Sequence, residues 1–215
     1  MGTTHETIIV GGGAAGMNCA LKLQEAGKPY LLLTDRMGGR IMYRKDLKMN
    51  FGAVFYFGSY RHMKKILTPG PKVLPSLFQG CCHPDAKTQY AAISPRTLRQ
   101  GGQLLMFIKF MRYKFGPHYE RFKSDCEVMQ VKDALEKNPF VKDLFFMTAD
   151  QLVAREGIQE IADDLVSQFA HGCTGSRIAT LSALDYLNCV QGLVQELKRF
   201  TFDEDAMTER LRGGS

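Results

Sequence analysis

Residues 7–10, Thr-Ile-Ile-Val, are a short β-branched run that ends in three consecutive glycines, Gly11–Gly13. Such a run predicts a buried parallel strand. Over residues 14–26 the positions Ala15, Cys19, Leu21, Leu23 and Ala26 sit among good helix formers, and Gly27 stands where a helix C-terminus takes a glycine. Tyr30–Leu33 is a second apolar run of strand length. Together these segments predict a β-α-β unit of about 28 residues.

Further on, Ile41–Tyr43 and Leu47–Phe51 flank Arg44-Lys45-Asp46 and predict a hairpin. Its charges Arg44, Lys45 and Lys48 are expected to be solvated. Gly52–Gly58 is aromatic and punctuated by glycine, and Tyr60–Leu67 is expected to be helical. Pro69, Gly70, Pro71 and Pro75 mark residues 68–76 as a loop or a crossing between domains. Thr88–Ile93 is expected as a strand.

From Gly102 the period becomes helical. Leu104, Leu105, Phe107, Ile108, Met111 and Phe115 share this spacing until Gly116-Pro117, where a break is expected. Short helices follow over 127–136, 139–147 and 149–155, with Thr148 as N-cap and Gln151 at the capping-box position. Residues 157–169 predict an amphipathic helix and 182–199 the last long one. The sequence closes on Arg210-Leu-Arg-Gly-Gly-Ser215, just after an acidic helical stretch. A truncated chain or one half of a split protein is expected there.

Composition narrows the class. The 215 residues suit one to two domains, and 45% apolar with 23% charged residues excludes a collagenous, disordered or disulfide-scaffold chain. No apolar run approaches the roughly 18 residues that span a bilayer. The N-terminus has neither the basic region nor the apolar core of a signal peptide, and Gly2-Thr3 before His5-Glu6 is a weak match to a myristoylation start. Six cysteines without a CxxC pair point to reduced thiols and a cytoplasmic location.

The net charge of +6 divides into +13 over residues 1–124 and −7 over 125–215. A basic half suits an anionic partner: a phosphate-bearing cofactor, a membrane surface or nucleic acid. Attraction between the two halves within one fold accounts for it equally well.

Gly11-x-Gly13-x-x-Gly16 follows a predicted strand and opens a predicted helix, which is the context that gives this motif meaning. Gly11 permits the tight turn, Gly13 lets a pyrophosphate approach the backbone, and Gly16 lets helix and strand pack closely. The pyrophosphate then meets free N–H groups and the helix dipole. Gly12 and Ala15 lie in the same turn. The fold class expected is α/β: a Rossmann-type parallel sheet with this GxGxxG unit over residues 1–75, then a mainly helical substrate or cap region over 76–215. At the end of the second strand, where an acidic residue binds the ribose, stand Thr34 and Asp35. Asp35 is the candidate ribose ligand. Arg36 beside it suits a phosphate, either the pyrophosphate or a 2′-phosphate.

Gly38-Gly39-Arg40 adds a second motif. Strand, GxGxxG, helix, strand and then Gly-Gly-Arg resemble the FAD-dependent amine oxidase and phytoene desaturase superfamily. Asn50-Phe51-Gly52-Ala53 looks like the family's D-x-G-A strand, whose backbone lies close to the flavin, although no aspartate stands at its first position. Ser182-Ala-Leu-Asp-Tyr-Leu-Asn188 resembles a helix found in some members after the substrate-domain helices. Members show a glutamate at the second strand end where this chain has Thr34, and the segment before Gly-Gly-Arg is shorter by about two residues. They also run to about twice this length.

The resemblance implies FAD held in extended form by Gly11, Gly12, Gly13, Ala15, Gly16, Thr34, Asp35, Arg36, Gly39, Arg40, Gly52 and Ala53. It implies oxidation of a C–N or C–C bond by hydride or two-electron transfer to the flavin. Arg36 and Arg40 lie next to two phosphates in that arrangement, and no residue stands out as catalytic. The partners implied are a small or lipophilic substrate and a C-terminal-half chain that completes the site.

Two other readings stay open: a non-catalytic dinucleotide-binding fragment or split subunit, and an NAD(P)-binding oxidoreductase using Arg36 for a 2′-phosphate. Leu104–Phe115, with Lys109, Arg112 and Lys114 on its polar side, suits peripheral contact with a membrane that supplies a lipophilic substrate. A core helix with snorkelling lysines is preferred. Cys81-Cys82-His83, with His118 or His171-x-Cys173, is better read as free thiols than as a metal site, so no metal is expected. No nucleic-acid module is present to use the basic half.

Overall fold

The computed structural model describes residues 5–73, 80–82 and 89–212. Gly2-Thr3, Thr88 and the Cys81-Cys82-His83 side chains lie outside the described residues. The chain divides into two compact units. One comprises residues 1–74 and 196–215, the other residues 75–195.

The first unit opens with strand β1 (Ile8–Gly13), helix α1 (Ala14–Glu25) and strand β2 (Leu31–Gly38). β1 and β2 pair in parallel, Ile8 beside Leu31 through Val10 beside Leu33. The register then shifts, so that Gly12 pairs with Met37 and Gly13 with Gly38. Gly11, at φ +103°, thus faces a bulge formed by Thr34, Asp35 and Arg36. Helix α1 buries Met17, Ala20 and Leu21 against a core that includes Ile9, Tyr30, Met37 and Ile41. It ends as its glycine predicts: the Ala26 amide bonds back to the carbonyls of Lys22 and Leu23, and Gly27 follows at positive φ.

β1 departs from a fully buried strand. Ile9 is buried, but Ile8 is 57% and Val10 83% exposed. Alternation along a strand puts these on the opposite face from Ile9.

Strands β3 (Ile41–Arg44) and β4 (Met49–Gly52) form the expected antiparallel hairpin. Its charges are not simply solvated. Arg44 pairs with Asp46 at 2.6 Å, and Lys45 with Asp203 at 3.2 Å and Asp205 at 3.4 Å.

Strand β5 (Tyr56–Phe57) belongs to a second sheet. Residues 60–67 hold only a 3₁₀ turn, Met63–Lys65, instead of a helix. Their buried residues Ile66 and Leu67 are adjacent, whereas a helix stripe needs spacings of three and four. The proline-rich segment that follows is strand β6 (Thr68–Lys72). It tolerates Pro69 and Pro71 because it lies at the edge of a sheet ordered β5-β9-β6.

The second unit opens with an antiparallel pair, β7 (Gly80–Cys82) and β8 (Gln89–Ala91). Helix α2 (Pro95–Arg99) has Ser94 as N-cap in a capping box with Thr97. α3 (Gly101–Lys109) runs through a π-helical turn (Phe110–Phe115) into α4 (Gly116–Cys126). Gly116-Pro117 therefore does not break the helix. The wider turn just before it absorbs what proline removes, one amide and the space for its ring.

Helices α5 (Val131–Lys137), α6 (Pro139–Phe146) and α7 (Ala149–Arg155) follow, and Thr148 and Gln151 form the expected capping box. α8 (Gln159–Ile161) passes through a second π turn (Ala162–Val166) into α9 (Ser167–Thr174). α10 (Ala183–Cys189) starts on the Ser182 side chain, which accepts the Asp185 amide at 3.1 Å. The Ser-Ala-Leu-Asp-Tyr-Leu segment thus has a structural logic: a cap, an acidic first turn, and buried Tyr186 and Leu187 in the helical core.

The helix expected over 182–199 ends early. A 3₁₀ turn, Val190–Leu193, follows α10, and Leu197–Thr201 is strand β9. β9 pairs on both edges, with β5 and β6, and buries Phe200. Helix α11 (Glu204–Arg212) then packs Met207 and Leu211 into the first core, where the Tyr30 hydroxyl donates to the Leu211 carbonyl at 3.1 Å. Residues 196–212 therefore belong with the N-terminal unit, and the region expected over 76–215 is divided at Glu196.

Candidate cofactor-binding site

The glycine turn between β1 and α1 combines close approaches at Gly12 and Gly16 with open space at Gly11 and Gly13. A Cβ on Gly16 would lie 1.9 Å from the Gly11 carbonyl oxygen, so only glycine lets α1 start this near β1. At Gly12 a Cβ would lie 2.8 Å from the Arg36 carbonyl, the Met37 sulfur and the Thr34 hydroxyl. Gly13 differs: an added Cβ meets nothing within 4 Å. Gly13 is also the N-cap of α1. It offers no side chain to the helix amides, and no acidic residue occupies the first turn. Ala15 in that turn is exposed. A helix N-terminus with free amides beside open space suits an anion.

Thr34 closes the bulge. Its hydroxyl accepts the Gly12 amide at 2.9 Å and donates to the Arg36 carbonyl at 2.7 Å. This clamps the end of β1 to β2 and gives Thr34 a structural task. Asp35 stands next to it, exposed, with Oδ1 accepting the Arg36 amide at 2.9 Å. The Arg36 guanidinium is exposed and lies 3.7 Å from the Met42 sulfur. The bulge thus presents a carboxylate and a guanidinium at the strand end that carries the glycine turn.

Gly39 and Arg40 form the turn after β2. A Cβ on Gly39 would come within 3.3 Å of the Gly13 Cα, so the two glycine motifs lie against each other. The Arg40 side chain is exposed, and its carbonyl accepts the Ala53 amide at 2.8 Å. Gly52, at φ +95°, packs on that carbonyl, where a Cβ would lie 2.4 Å away. The structure therefore brings Gly11, Gly12, Gly13, Ala15, Gly16, Thr34, Asp35, Arg36 and Gly39 together at one end of the parallel pair. Arg40, Gly52 and Ala53 join them through the base of the hairpin.

The C-terminal segment supplies support that the sequence pattern did not reveal. Glu204, in the first turn of α11, accepts the Met37 amide at 3.1 Å. Phe202 packs on Gly38, where a Cβ would lie 2.9 Å from its ring. The Ala206 amide and the Lys45 ammonium hold Asp203 below the usual carboxylate range. The acidic run Asp203-Glu204-Asp205 was the available signal. Its partners are more than 150 residues away, beyond the reach of local periodicity.

Of the amphipathic stretch Leu104–Phe115, Phe107, Phe110, Met111 and Phe115 are buried in the helical core, while Leu105, Met106 and Tyr113 are exposed. The Lys114 ammonium lies 5.6 Å from the centres of both the Phe110 and Phe140 rings. Among the described residues no helix is long and apolar enough to cross a membrane, and no group of three His, Cys, Asp or Glu side chains is placed to hold a metal.

Residues 6–41, which hold both β1-α1-β2 and Gly38-Gly39-Arg40, match the FAD binding domain family. A stretch of 85 residues is 32% identical to a probable flavin-containing monoamine oxidase A of Dictyostelium discoideum, covering 37% of this chain and 19% of that protein. The fold matches putrescine oxidase with bound putrescine at a TM-score of 0.62 and 16% identity, over 98% of this chain and 50% of that one. A triple mutant of putrescine oxidase matches at 0.60 and 15% over the same shares. The chain thus spans half the length of these structures. It has a mixed α/β fold with a small parallel sheet, and FAD is the cofactor of its N-terminal segment.

Proposed function

We propose that this chain, whose residues 6–41 match an FAD-binding domain, is the FAD-binding part of a flavin-dependent oxidoreductase that oxidises the C–N bond of an amine. The observation that carries the reading is the open side of Gly13 at an uncapped helix N-terminus. Gly12 and Gly16 lie tight against other protein atoms, whereas the space beside Gly13, at the start of α1, is open for a ligand.

The residues of the turn and the strand end fit the ADP half of FAD. The first amides of α1 donate to the pyrophosphate oxygens, and Gly13 lets them come close. Asp35 accepts from the ribose hydroxyls, and its second carboxylate oxygen has no partner among the described residues. Arg36 and Arg40 offset the phosphate charge. Thr34 holds the bulge that sets Asp35 and Arg36 in place. Gly52 and Ala53 offer backbone beside the second glycine turn. When bound, the flavin supplies the acceptor for a hydride or two electrons, and the protein supplies orientation and shielding from water. The helical unit is the substrate or cap region in this reading.

The choice of a C–N over a C–C bond rests on the relatives, a monoamine oxidase and a putrescine oxidase. The test is anaerobic addition of putrescine or a simple monoamine to the FAD-loaded protein. Bleaching of the visible flavin band is expected. A chain that keeps its flavin oxidised under these amines is a dinucleotide-binding module and not an amine-oxidising enzyme on its own.

A further inference from the structure

The end of β2 is held by residues that lie far away in the sequence. The register shift places Met37 beside Gly12 and Gly38 beside Gly13, so these two residues are the strand neighbours of the glycine turn. Both meet the start of α11. Glu204 Oε1 accepts the Met37 amide at 3.1 Å, and the Phe202 ring packs on Gly38. Met37 itself is buried, and its sulfur closes on Gly12, where an added Cβ would meet it at 2.8 Å. Glu204 is set in turn by its neighbour. Asp203 caps α11 by accepting the Ala206 amide at 3.1 Å, and the Lys45 ammonium lies 3.2 Å from both Asp203 carboxylate oxygens. We propose that Glu204 is a positioning residue for FAD. Its bond to the Met37 amide fixes the end of β2 against Gly12 and Gly13 and holds the turn in the form that takes the pyrophosphate. This rests on the reading of that turn as the FAD site.

The geometry and the charges favour this indirect role. A carboxylate and a pyrophosphate repel each other, so Glu204 is not suited to touch the phosphates. Its side chain has one partner among the described residues, the Met37 amide. Gly12 is thereby held from two sides: its amide by the Thr34 hydroxyl at 2.9 Å, and its Cα by the sulfur of the residue that Glu204 anchors. Glu204 also lies in the first turn of α11, where a negative charge favours the helix itself. The two roles separate chemically. The helix dipole needs the charge, whereas the Met37 amide needs only an acceptor oxygen, which a carboxamide also supplies.

The test is an FAD titration of the full chain and three variants, followed by flavin fluorescence. Glu204→Ala should weaken FAD binding about fivefold, a typical effect of one hydrogen bond. Glu204→Gln should bind FAD like the wild type. Arg210→Ala removes the bond from the Arg210 guanidinium to the Lys65 carbonyl at 2.8 Å, at the far end of α11, and should leave the affinity unchanged. Hydrogen exchange gives the second readout: the Met37 amide should exchange faster in Glu204→Ala and not in Glu204→Gln. In the wild-type chain, added FAD should slow exchange at Met37, because a contact that helps FAD bind is strengthened by FAD in return.

Equal FAD affinity in wild type and Glu204→Ala would overturn the proposal and leave the FAD site standing. So would an equal loss in Glu204→Gln or in Arg210→Ala, which would mark Glu204 as a support of α11 alone. Exchange at Met37 that ignores FAD in a wild-type chain that binds it would overturn the proposal even if no variant folds. A wild-type chain that binds no FAD would overturn the reading of the turn, and this role with it.

Discussion

The Thr34 hydroxyl lies 2.9 Å from the amide nitrogen of Gly12 and accepts its proton. The same oxygen donates to the Arg36 carbonyl at 2.7 Å, so one side chain spans the bulge that carries Asp35. Thr34→Val keeps the shape and removes both bonds. Because Thr34 is exposed and water replaces part of the loss, the expected destabilisation is about 1 kcal/mol. FAD affinity should fall as well, since Asp35 and Arg36 lose their anchor. Chemical denaturation and an FAD titration on the same variant check both; unchanged affinity would remove Thr34 from the support of the site.

Gly13 and Gly16 belong to one motif but should fail in different ways. Gly13→Val places its side chain in open space, so the far-UV circular dichroism should stay intact while FAD binding is lost. Gly16→Ala drives a methyl group into the Gly11 carbonyl, and overpacking of this kind costs about 1–3 kcal/mol or more. Its thermal midpoint should fall whether or not FAD is present. Retained FAD binding in Gly13→Val would contradict the placement of the pyrophosphate.

Asp35→Ala removes the carboxylate proposed for the ribose. A loss of about 1–3 kcal/mol in FAD affinity is expected, the range for hydrogen bonds to a charged group. Fluorescence titration measures it, and an unchanged dissociation constant would move that role to another residue. Stability should barely change, because the carboxylate is exposed and bonds only to the neighbouring Arg36 amide.

In the helical unit the Asp164 carboxylate is buried and accepts from Arg96 Nε at 2.6 Å and Gln100 Nε2 at 2.5 Å. Burial raises its pKa, but Arg96, Gln100 and Tyr90 together outweigh that effect and hold it below the usual value. The unfolded chain therefore binds this proton more readily than the folded one. The stabilisation is complete above the unfolded value of about 3.9 and is lost as pH falls through the lower folded value. Urea unfolding of wild type and Asp164→Asn should show a gap at neutral pH that narrows under acid. A gap independent of pH would contradict this origin.

Much of this fold was legible because its signals are local. The β-α-β unit needs only a β-branched run, a glycine turn and a helix period within 30 residues or so. The Arg44–Lys48 hairpin and the Thr148–Gln151 capping box are read from neighbours in the same way. What escaped depends on distant pairing. Leu197–Thr201 looks helical beside α10, and becomes a strand because β5 and β6 take up its two edges. Glu204 meets Met37 only after that strand has returned the chain to the first unit. The bulge at Thr34–Arg36 was visible in the sequence only as a mismatch in spacing. In the structure it is the register shift opposite Gly11.

The most direct measurement is the visible absorption spectrum of the purified chain after incubation with FAD and desalting. The two bands of oxidised flavin should remain with the protein, and Gly13→Val should lose them. Complete removal of flavin from the wild-type chain, with its circular dichroism intact, would contradict the assignment of the Gly11–Gly16 turn as an FAD site.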